Sequence, residues 1–129
     1  MPATNVYFYR EAPGDVPVLD WLGNLRKKDK KAYANCIAKI RMLAAFGHEL
    51  RRPHADALRG GIRELRVKSG NVNYRILYFA HGRNVAILAH ALTKEGAVPD
   101  GDIERALARK LRFEANPARH TAEVEISDA

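Results

Sequence analysis

Gly61-Ile62-Arg63-Glu64-Leu65-Arg66-Val67-Lys68 leads through a turn into Asn73-Tyr74-Arg75-Ile76-Leu77-Tyr78-Phe79, and a second turn leads into Val85-Ala86-Ile87-Leu88-Ala89-His90-Ala91-Leu92-Thr93-Lys94. Short runs rich in β-branched and aromatic residues, separated by turns, predict three consecutive strands of a small meander. Arg66 and Arg75 stand inside these strands. A strand that serves only a hydrophobic core has no use for a charged residue there. The stretch therefore indicates a sheet that holds an anion.

Alternation along the meander predicts which side chains share a face. In the first strand, Leu65 and Val67 alternate with Glu64, Arg66 and Lys68, so one face is apolar and the other is charged. In the second strand, Arg75 shares its face with apolar residues, and the opposite face is apolar and aromatic. We therefore expect the second strand to be buried on both sides over much of its length.

Two helices are predicted before the meander. Asp15 can cap the first, which runs to about Lys28, and Asp29 can cap the second, which runs to about Phe46. Gly47 is a suitable terminator for the second helix. Both segments repeat apolar residues every three or four positions, which predicts that they form a hairpin covering one face of the sheet.

The remaining segments complete the predicted order β-α-α-β-β-β-α. Residues 6–9 predict a first strand, residues 48–60 a loop, and residues from Pro99 to about 115 a last helix that Asn116-Pro117 ends. This order indicates an α+β fold with a small, mostly antiparallel sheet, a helical hairpin on one face and a C-terminal helix. Residues 1–115 are predicted to form one domain. Residues 116–129 form a polar, acidic tail that we expect to be loosely held, or to fold onto the basic body or a partner.

Composition narrows the classes of partner and of chemistry. The chain has 129 residues, 22 Lys and Arg against 15 Asp and Glu, and one cysteine, Cys36. A net charge of +7 suits nucleic acid, an anionic membrane or an acidic protein as partner, or simply a soluble basic surface. One cysteine excludes an internal disulfide, which favours a reduced, cytoplasmic setting. We expect no membrane span, because no apolar run is long enough, and no signal peptide, because no basic region precedes an apolar one. We expect no metal site and no cofactor, because the sequence has neither the ligand spacing of a metal site nor a phosphate-binding loop.

The meander resembles the RelE/ParE superfamily of toxins from type II toxin–antitoxin modules, and within it the HigB-like, phage-derived branch. Three marks carry the resemblance: Gly61-Ile62-Arg63-Glu64-Leu65-Arg66, Tyr74-Arg75-Ile76-Leu77-Tyr78-Phe79 and Leu88-Ala89-His90-Ala91-Leu92-Thr93-Lys94. Pro99, followed by Asp102-Ile103-Glu104-Arg105-Ala106, completes the pattern. The similarity extends over about residues 5–115 and implies a RelE-like fold.

The resemblance also implies an activity. Many members of the superfamily cleave messenger RNA during translation without a metal, by attack of the RNA 2′-hydroxyl on the adjacent phosphate. It implies that Arg66 and Arg75 clamp the scissile phosphate, that Lys94 adds positive field and that His90 or Tyr74 assists proton transfer. His54 is a further candidate by residue type for that last role. The cations and the histidine expected to contact RNA are Arg51, Arg52, His54, Arg63 and Lys68.

Alternatives stay open at this point. Besides the RNA-cleaving toxin, a second alternative is a non-catalytic inhibitor of DNA gyrase, as in the ParE branch. A third is a silent homologue that only binds its antitoxin. Glu95 favours the third, because it replaces the second lysine of a motif that usually has two. Arg66 could pair with Glu64 on a neighbouring strand or with the acidic tail, and Arg75 could be a structural bridge. His90 could be a hydrogen-bonded core or edge residue, and Lys94 a solvated strand end. The expected partners are a cognate antitoxin of the small helix-turn-helix kind, with which the chain could form a hetero-oligomer, and messenger RNA on the ribosome.

Overall fold

The computed structural model of the chain describes residues 3–124 and shows the α+β fold expected from the sequence, consistent with a RelE-like architecture. A short 3-10 turn, Gly47–Glu49, follows the second helix. The helices and strands in chain order are β1 Asn5–Tyr9, α1 Pro17–Lys28, α2 Lys30–Phe46, β2 Ala55–Ala57, β3 Ile62–Ser69, β4 Val72–His81, β5 Val85–Thr93, α3 Asp100–Ala115 and β6 Thr121–Ala122.

The strands form one mixed sheet in the order β2-β3-β4-β5-β1-β6. The predicted meander is its centre, because β3, β4 and β5 pair antiparallel in sequence order. β1 enters beside β5 and runs parallel to it. The first strand of the chain therefore lies inside the sheet, and the two strands that the sequence did not predict, β2 and β6, lie at its edges.

Helices cover both faces of the sheet. The α1–α2 hairpin packs on one face, where Ile37 and Ile40 meet Leu65 and Ile76 in the larger hydrophobic core. α3 packs on the other face, and its core residues include Ile103 and Phe113 together with Leu77 and Phe79 of β4. The expectation that β4 is buried on both sides is confirmed. None of the helices in the described residues is long and apolar enough to cross a membrane.

One of the two predicted helix caps forms and the other does not. The Asp29 side chain accepts a hydrogen bond of 3.0 Å from the Ala32 backbone N–H, as predicted for the start of α2. Asp15 does not cap α1, because Val16 occupies the cap position and makes no side-chain hydrogen bond. The Asp15 backbone instead pairs with Ala12 across a tight turn.

Residues 48–60, predicted to be a loop, contain a 3-10 turn and β2. β2 has only three residues, and it exists because it pairs antiparallel with β3, Ala55 opposite Leu65 and Ala57 opposite Arg63. A segment this short carries no periodicity of its own, so sequence patterning could not reveal it. Its position brings Asp56 to the charged end of the meander.

The first part of the acidic tail folds onto the domain. Thr121–Ala122 pairs with β1, and Arg10 donates from Nε to the Arg119 carbonyl at 2.9 Å. The His120 ring stacks on Tyr9, with 5.4 Å between the ring centroids. Of the alternatives given for the tail, folding onto the basic body is the one seen up to residue 124. The end of the predicted tail, residues 125–129, lies outside the described part of the chain.

Candidate functional site

Arg66 of β3 and Arg75 of β4 are directly opposite each other in the antiparallel register. Residues in that relationship point to the same face of the sheet, with their Cβ atoms about 4.5–5.5 Å apart. Two like charges so placed repel each other unless a counter-charge lies between them. The pairing thus creates a local excess of positive charge on the α3 side of the sheet.

Glu64 supplies the counter-charge. One of its oxygens, Oε2, lies 3.2 Å from Arg66 Nη2 and accepts a hydrogen bond from Arg66 Nε, also at 3.2 Å. The other, Oε1, lies 3.0 Å from Arg75 Nε, but the two atoms are not aligned for a hydrogen bond, and we regard this contact as an ion pair only. The Glu64 side chain is 6% exposed and that of Arg75 13%, whereas Arg66 is 36% exposed.

The ion pairs continue outward through β2. Arg66 Nη2 lies 3.2 Å from Asp56 Oδ2, and Arg52 contacts the same oxygen at 2.9 Å. Burial raises the pKa of Asp56, but hydrogen bonds from the Ala57 N–H and from Arg52, with the charges of Arg52 and Arg66, outweigh it and lower the pKa below its ordinary value. Three cations and two carboxylates therefore alternate along the chain Arg52–Asp56–Arg66–Glu64–Arg75.

A groove of about 650 Å³ opens over this row of charges. Asp56, Glu64, Arg66 and Arg75 form its charged floor, and the segment between β5 and α3 forms its far wall. Arg75 Nη2 donates to the Gly96 carbonyl of that wall at 3.4 Å. Because both arginines are reached from the groove, an anion placed there can meet two guanidinium groups at once.

Several of the residues predicted for the site do lie at this end of the sheet. Arg52 belongs to the chain of ion pairs, and Lys68 and His54 line a second groove that adjoins the first at the arginine pair. Lys94 is exposed just after β5, where its backbone N–H donates to the Asn73 carbonyl at 3.0 Å. Arg51 is exposed in the turn before β2.

Two predicted residues lie on the opposite face of the sheet. Tyr74 is buried on the side of the helical hairpin, with its ring edge against Trp21 at a centroid distance of 5.9 Å. Arg63 faces the same side, where it donates from Nε to the Tyr78 hydroxyl at 3.2 Å and from Nη2 to the Leu50 carbonyl at 3.1 Å. Neither side chain is brought together with Arg66 and Arg75.

His90 is held between β5 and α3. Its Nε2 lies 2.7 Å from Asp102 Oδ1, and its Nδ1 lies 3.4 Å from Arg109 Nη1. Burial, with a smaller effect from the Arg109 charge, outweighs the hydrogen bond to Asp102 and lowers the pKa of His90, which favours the neutral ring. A neutral ring donates through Nε2 to Asp102 and presents Nδ1 to Arg109. Both nitrogens therefore face residues of α3.

Of the two carboxylates of the site, sequence reasoning named Glu64 as an alternative partner of Arg66 and missed Asp56. The pair forms, but Glu64 lies on β3 itself, two residues before Arg66, and not on a neighbouring strand. The period of two along a strand puts both side chains on one face, and that signal was available in the sequence. Asp56 could not be found in this way, because β2 carries no pattern. Within residues 3–124 no three His, Cys, Asp or Glu side chains are grouped as metal ligands would be.

A mixed sheet between a helical hairpin and a C-terminal helix is consistent with a RelE-like fold. Residues 21–111 match the family model described as Phage derived protein Gp49-like (DUF891), and the chain belongs to this family, a phage-derived family of RelE/HigB-like toxins. The match runs from within α1 to within α3 and so includes the whole meander. No curated protein matches the chain.

Proposed function

We propose that this chain is the toxin of a type II toxin–antitoxin module and that it cuts messenger RNA on the ribosome, in the cytoplasm. The observation that carries the proposal is the direct pairing of Arg66 and Arg75 at the floor of an open groove. Membership of a RelE/HigB-like toxin family supports the toxin class. A basic surface that must be neutralised also suits a cognate antitoxin as partner, and complementary charge would speed that association.

The proposed reaction requires positioned cations and no metal. The RNA 2′-oxygen attacks the adjacent phosphorus, its bond to phosphorus forms as the bond to the 5′-oxygen breaks, and the products are a 2′,3′-cyclic phosphate and a 5′-hydroxyl. The 2′-hydroxyl proton leaves to a base, and the 5′-oxygen takes up a proton. Guanidinium groups bind phosphate oxygens through two donors at once and stay charged. One preorganised donor contributes about 10²–10³ in rate.

A phosphate can reach the arginines without first removing the carboxylates. Each guanidinium has five N–H donors in a planar fork. In the described residues, Arg75 uses Nε towards Glu64 and Nη2 towards Gly96, and Nη1 makes no such contact. The 36% exposure of Arg66 leaves part of its fork open as well. Glu64 would then hold the two forks in place while their outer edges bind the phosphate.

His54 is the predicted proton-transfer group that reaches this end of the sheet. It lines the adjoining groove together with Arg66 and Arg75, and its Nδ1 lies 2.9 Å from Lys39 Nζ. The lysine must donate, so Nδ1 accepts and Nε2 carries the proton of the neutral ring. In this state His54 can donate a hydrogen bond to the RNA through Nε2–H but cannot take up the 2′-hydroxyl proton there. His90 and Tyr74 then act, in this proposal, through the fold and not at the phosphate.

A second candidate function is favoured by the same ion pairs. Asp56 and Glu64 already neutralise much of the charge of Arg66, and Glu95 follows Lys94 where a second lysine is usual. A homologue that folds and binds its antitoxin without cutting RNA would tolerate such carboxylates. The two candidates differ in whether messages are cleaved when the protein is produced without its partner.

The test is controlled expression in a bacterium, with primer extension on abundant messages before and after induction. We expect new 5′ ends within translated regions from the wild-type chain and none from Arg75→Ala. Arg83→Ala is the matched control, because it removes the same charge from an exposed position in the turn between β4 and β5. Growth arrest with DNA damage and intact messages would point to a gyrase inhibitor, and folded protein with no arrest to a silent homologue.

A further inference from the structure

A second groove, of about 630 Å³, lies between α2 and the end of β3. Its charged and titratable lining consists of Lys39, His54, Arg66, Lys68 and Arg75, and two asparagines add neutral polar groups. Among the residues that the structure describes, no acidic one lines it. The groove over the ion-pair chain is different, because Asp56, Glu64 and Asp100 line that one.

The two grooves are continuous at the arginine pair. Arg66 and Arg75 line both of them, so they form the ridge at which one groove passes into the other. A ligand that extends from α2 to the segment before α3 must cross this ridge. Along that path the charge changes from purely cationic near α2 to mixed beyond the arginines.

Lys39 is the unusual residue of the cationic groove. It is half-buried on α2, its ammonium contacts His54 Nδ1 at 2.9 Å, and within residues 3–124 no carboxylate lies in ion-pair distance of it. Burial lowers the pKa of Lys39, because the ammonium is partly removed from water there. A half-buried cation without a counter-ion costs free energy unless a ligand supplies the negative charge. Lys68, farther along the groove, is exposed and also has no ion-pair partner in the described part of the chain.

We propose that this cationic groove binds the backbone phosphates of single-stranded RNA adjacent to the phosphate at the arginine pair, with Lys39 and Lys68 as the contacts. The inference rests on the proposed function and gives the substrate a direction across the site. The phosphates follow the acid-free groove, and the strand crosses the ridge into the acid-lined groove. There Asp56, Glu64 and Asp100 repel phosphate but can accept hydrogen bonds from the amino groups of a base.

An acidic protein segment is the competing occupant of a cationic groove. RNA is favoured because the groove leads to the arginine pair and because its cations follow one continuous path from Lys39 to Arg75. Neutralising a phosphate releases a counter-ion, so binding weakens as salt is added. For a single strand, the slope of log binding constant against log salt concentration becomes steeper by about 0.7 for each phosphate contacted. That slope counts phosphate contacts and requires no cleavage.

The experiment uses the full chain and a fluorescein-labelled, 2′-O-methylated uridine 12-mer, which cannot be cut, with affinity measured by anisotropy at several NaCl concentrations. We expect the double variant Lys39→Gln/Lys68→Gln to reduce the slope by about 1.4, the value for two lost phosphate contacts. The matched control is Lys27→Gln/Lys31→Gln, which removes the same charge from exposed positions at the α1–α2 junction. Equal slopes for the two double variants would overturn the proposal.

Two further measurements test whether misfolding of the double variant, or an acidic protein as the true ligand, could explain the result. Lys68→Gln alone changes an exposed residue and should lower the slope by about half as much, and Lys39→Arg should restore what Lys39→Gln loses. Poly-L-glutamate at matched ionic strength should displace the RNA only weakly, and equal competition would assign the groove to an acidic protein. Because the probe cannot be cut, RNA binding is measured independently of cleavage. If the lysine double variant reduced the slope but the wild-type chain left messages uncut in cells, the nuclease proposal would be refuted and the RNA-binding groove would still be supported.

Discussion

Glu64 Oε1 and Arg75 Nε lie 3.0 Å apart in the interior of the site, and no hydrogen bond joins them. The other oxygen of the same carboxylate pairs with Arg66, which stands opposite Arg75 in the sheet. One buried carboxylate therefore compensates two arginines, and part of its hydrogen-bonding capacity is unused. Such an arrangement stabilises the fold less than a fully bonded network would and leaves the arginines available to another anion.

Replacing Glu64 with glutamine measures separately how the carboxylate affects the stability of the fold and how it affects anion binding by the arginines. Glu64→Gln removes the charge that compensates Arg66 and Arg75 but keeps the shape of the side chain. We expect the free energy of unfolding in urea to fall by about 1–3 kcal/mol, the usual cost of leaving a buried polar group unpaired. We also expect the same variant to bind the non-cleavable RNA more tightly, because a negative charge that repels phosphate beside the arginines is removed.

Glu104→Gln is the control for that prediction. Glu104 pairs with Arg59 at 2.9 Å on the surface, where both side chains are largely exposed. A surface ion pair contributes about 0–1 kcal/mol, so this variant should unfold almost as the wild type does and bind RNA unchanged. If Glu64→Gln weakened RNA binding, the carboxylate would be needed to hold the arginines in place for the RNA, and its repulsion of phosphate would be the smaller effect.

The pairing of Arg66 with Arg75 could be predicted from the sequence only in part. Alternation predicted that Arg66 lies on the charged face of its strand and that Arg75 shares its face with apolar residues. Their direct opposition depends on the turn, in which Gly70 and Asn71 alone separate the paired residues Ser69 and Val72. A two-residue turn fixes the register of a hairpin, and Gly70 adopts the left-handed conformation that such a turn favours, with φ at 60°. The alternation of side chains along each strand does not by itself fix this register.

The position of His90 could not be predicted from alternation. The register of β4 with β5 shifts after Leu77, which pairs with His90, while Tyr78 pairs with Leu88. The extra residue, Ala89, is a bulge, and it reverses which face the following side chains occupy. His90 thereby turns from the face of the helical hairpin to that of α3, where it meets Asp102. Bulges arise from pairing between strands and leave no periodic signal in one strand.

Arg63 is predicted to stabilise the fold and not to bind RNA. Its two hydrogen bonds, to the Tyr78 hydroxyl and the Leu50 carbonyl, tie β3 to β4 and to the segment after α2. Arg63→Gln should lower the free energy of unfolding by about 1–2 kcal/mol and leave message cleavage and the salt dependence of RNA binding at wild-type values. A double-mutant cycle with Tyr78→Phe should show coupling between the two positions. If a stably folded Arg63→Gln variant lost RNA affinity, Arg63 would be assigned to the RNA-binding surface.

His90 is predicted to make stability depend on pH. Its pKa in the folded protein is lowered, whereas in the unfolded chain it is about 6.5. Below that value the unfolded state binds a proton that the folded state does not, so the stabilisation present above about pH 6.5 is lost as the pH falls towards the lowered pKa. We expect the free energy of unfolding to decrease over this window, and His90→Gln to remove that part of the decrease.

Comparison of the two proteins at each pH isolates the effect of His90. Asp56 also titrates, but its pKa is lowered, so its contribution is lost only as the pH falls further into the acid range. Subtracting the unfolding curve of His90→Gln from that of the wild type cancels the other groups. A difference that stayed constant between about pH 7 and pH 5 would show that burial does not shift the pKa of His90.

Cys36 is predicted to be chemically inert until the protein unfolds. The thiol is fully buried in α2 against the sheet, and burial raises its pKa to about 12. Because the thiolate is the reactive form, attack on Ellman's reagent at pH 8 should proceed only through unfolding, and the labelling rate should rise with urea as the unfolded fraction rises. Ala34→Cys in a Cys36→Ala background places a thiol on an exposed position of the same helix and should react at once. Prompt labelling of the folded wild-type chain, with a pH dependence centred near the ordinary thiol pKa, would mean that α2 opens from the sheet without global unfolding.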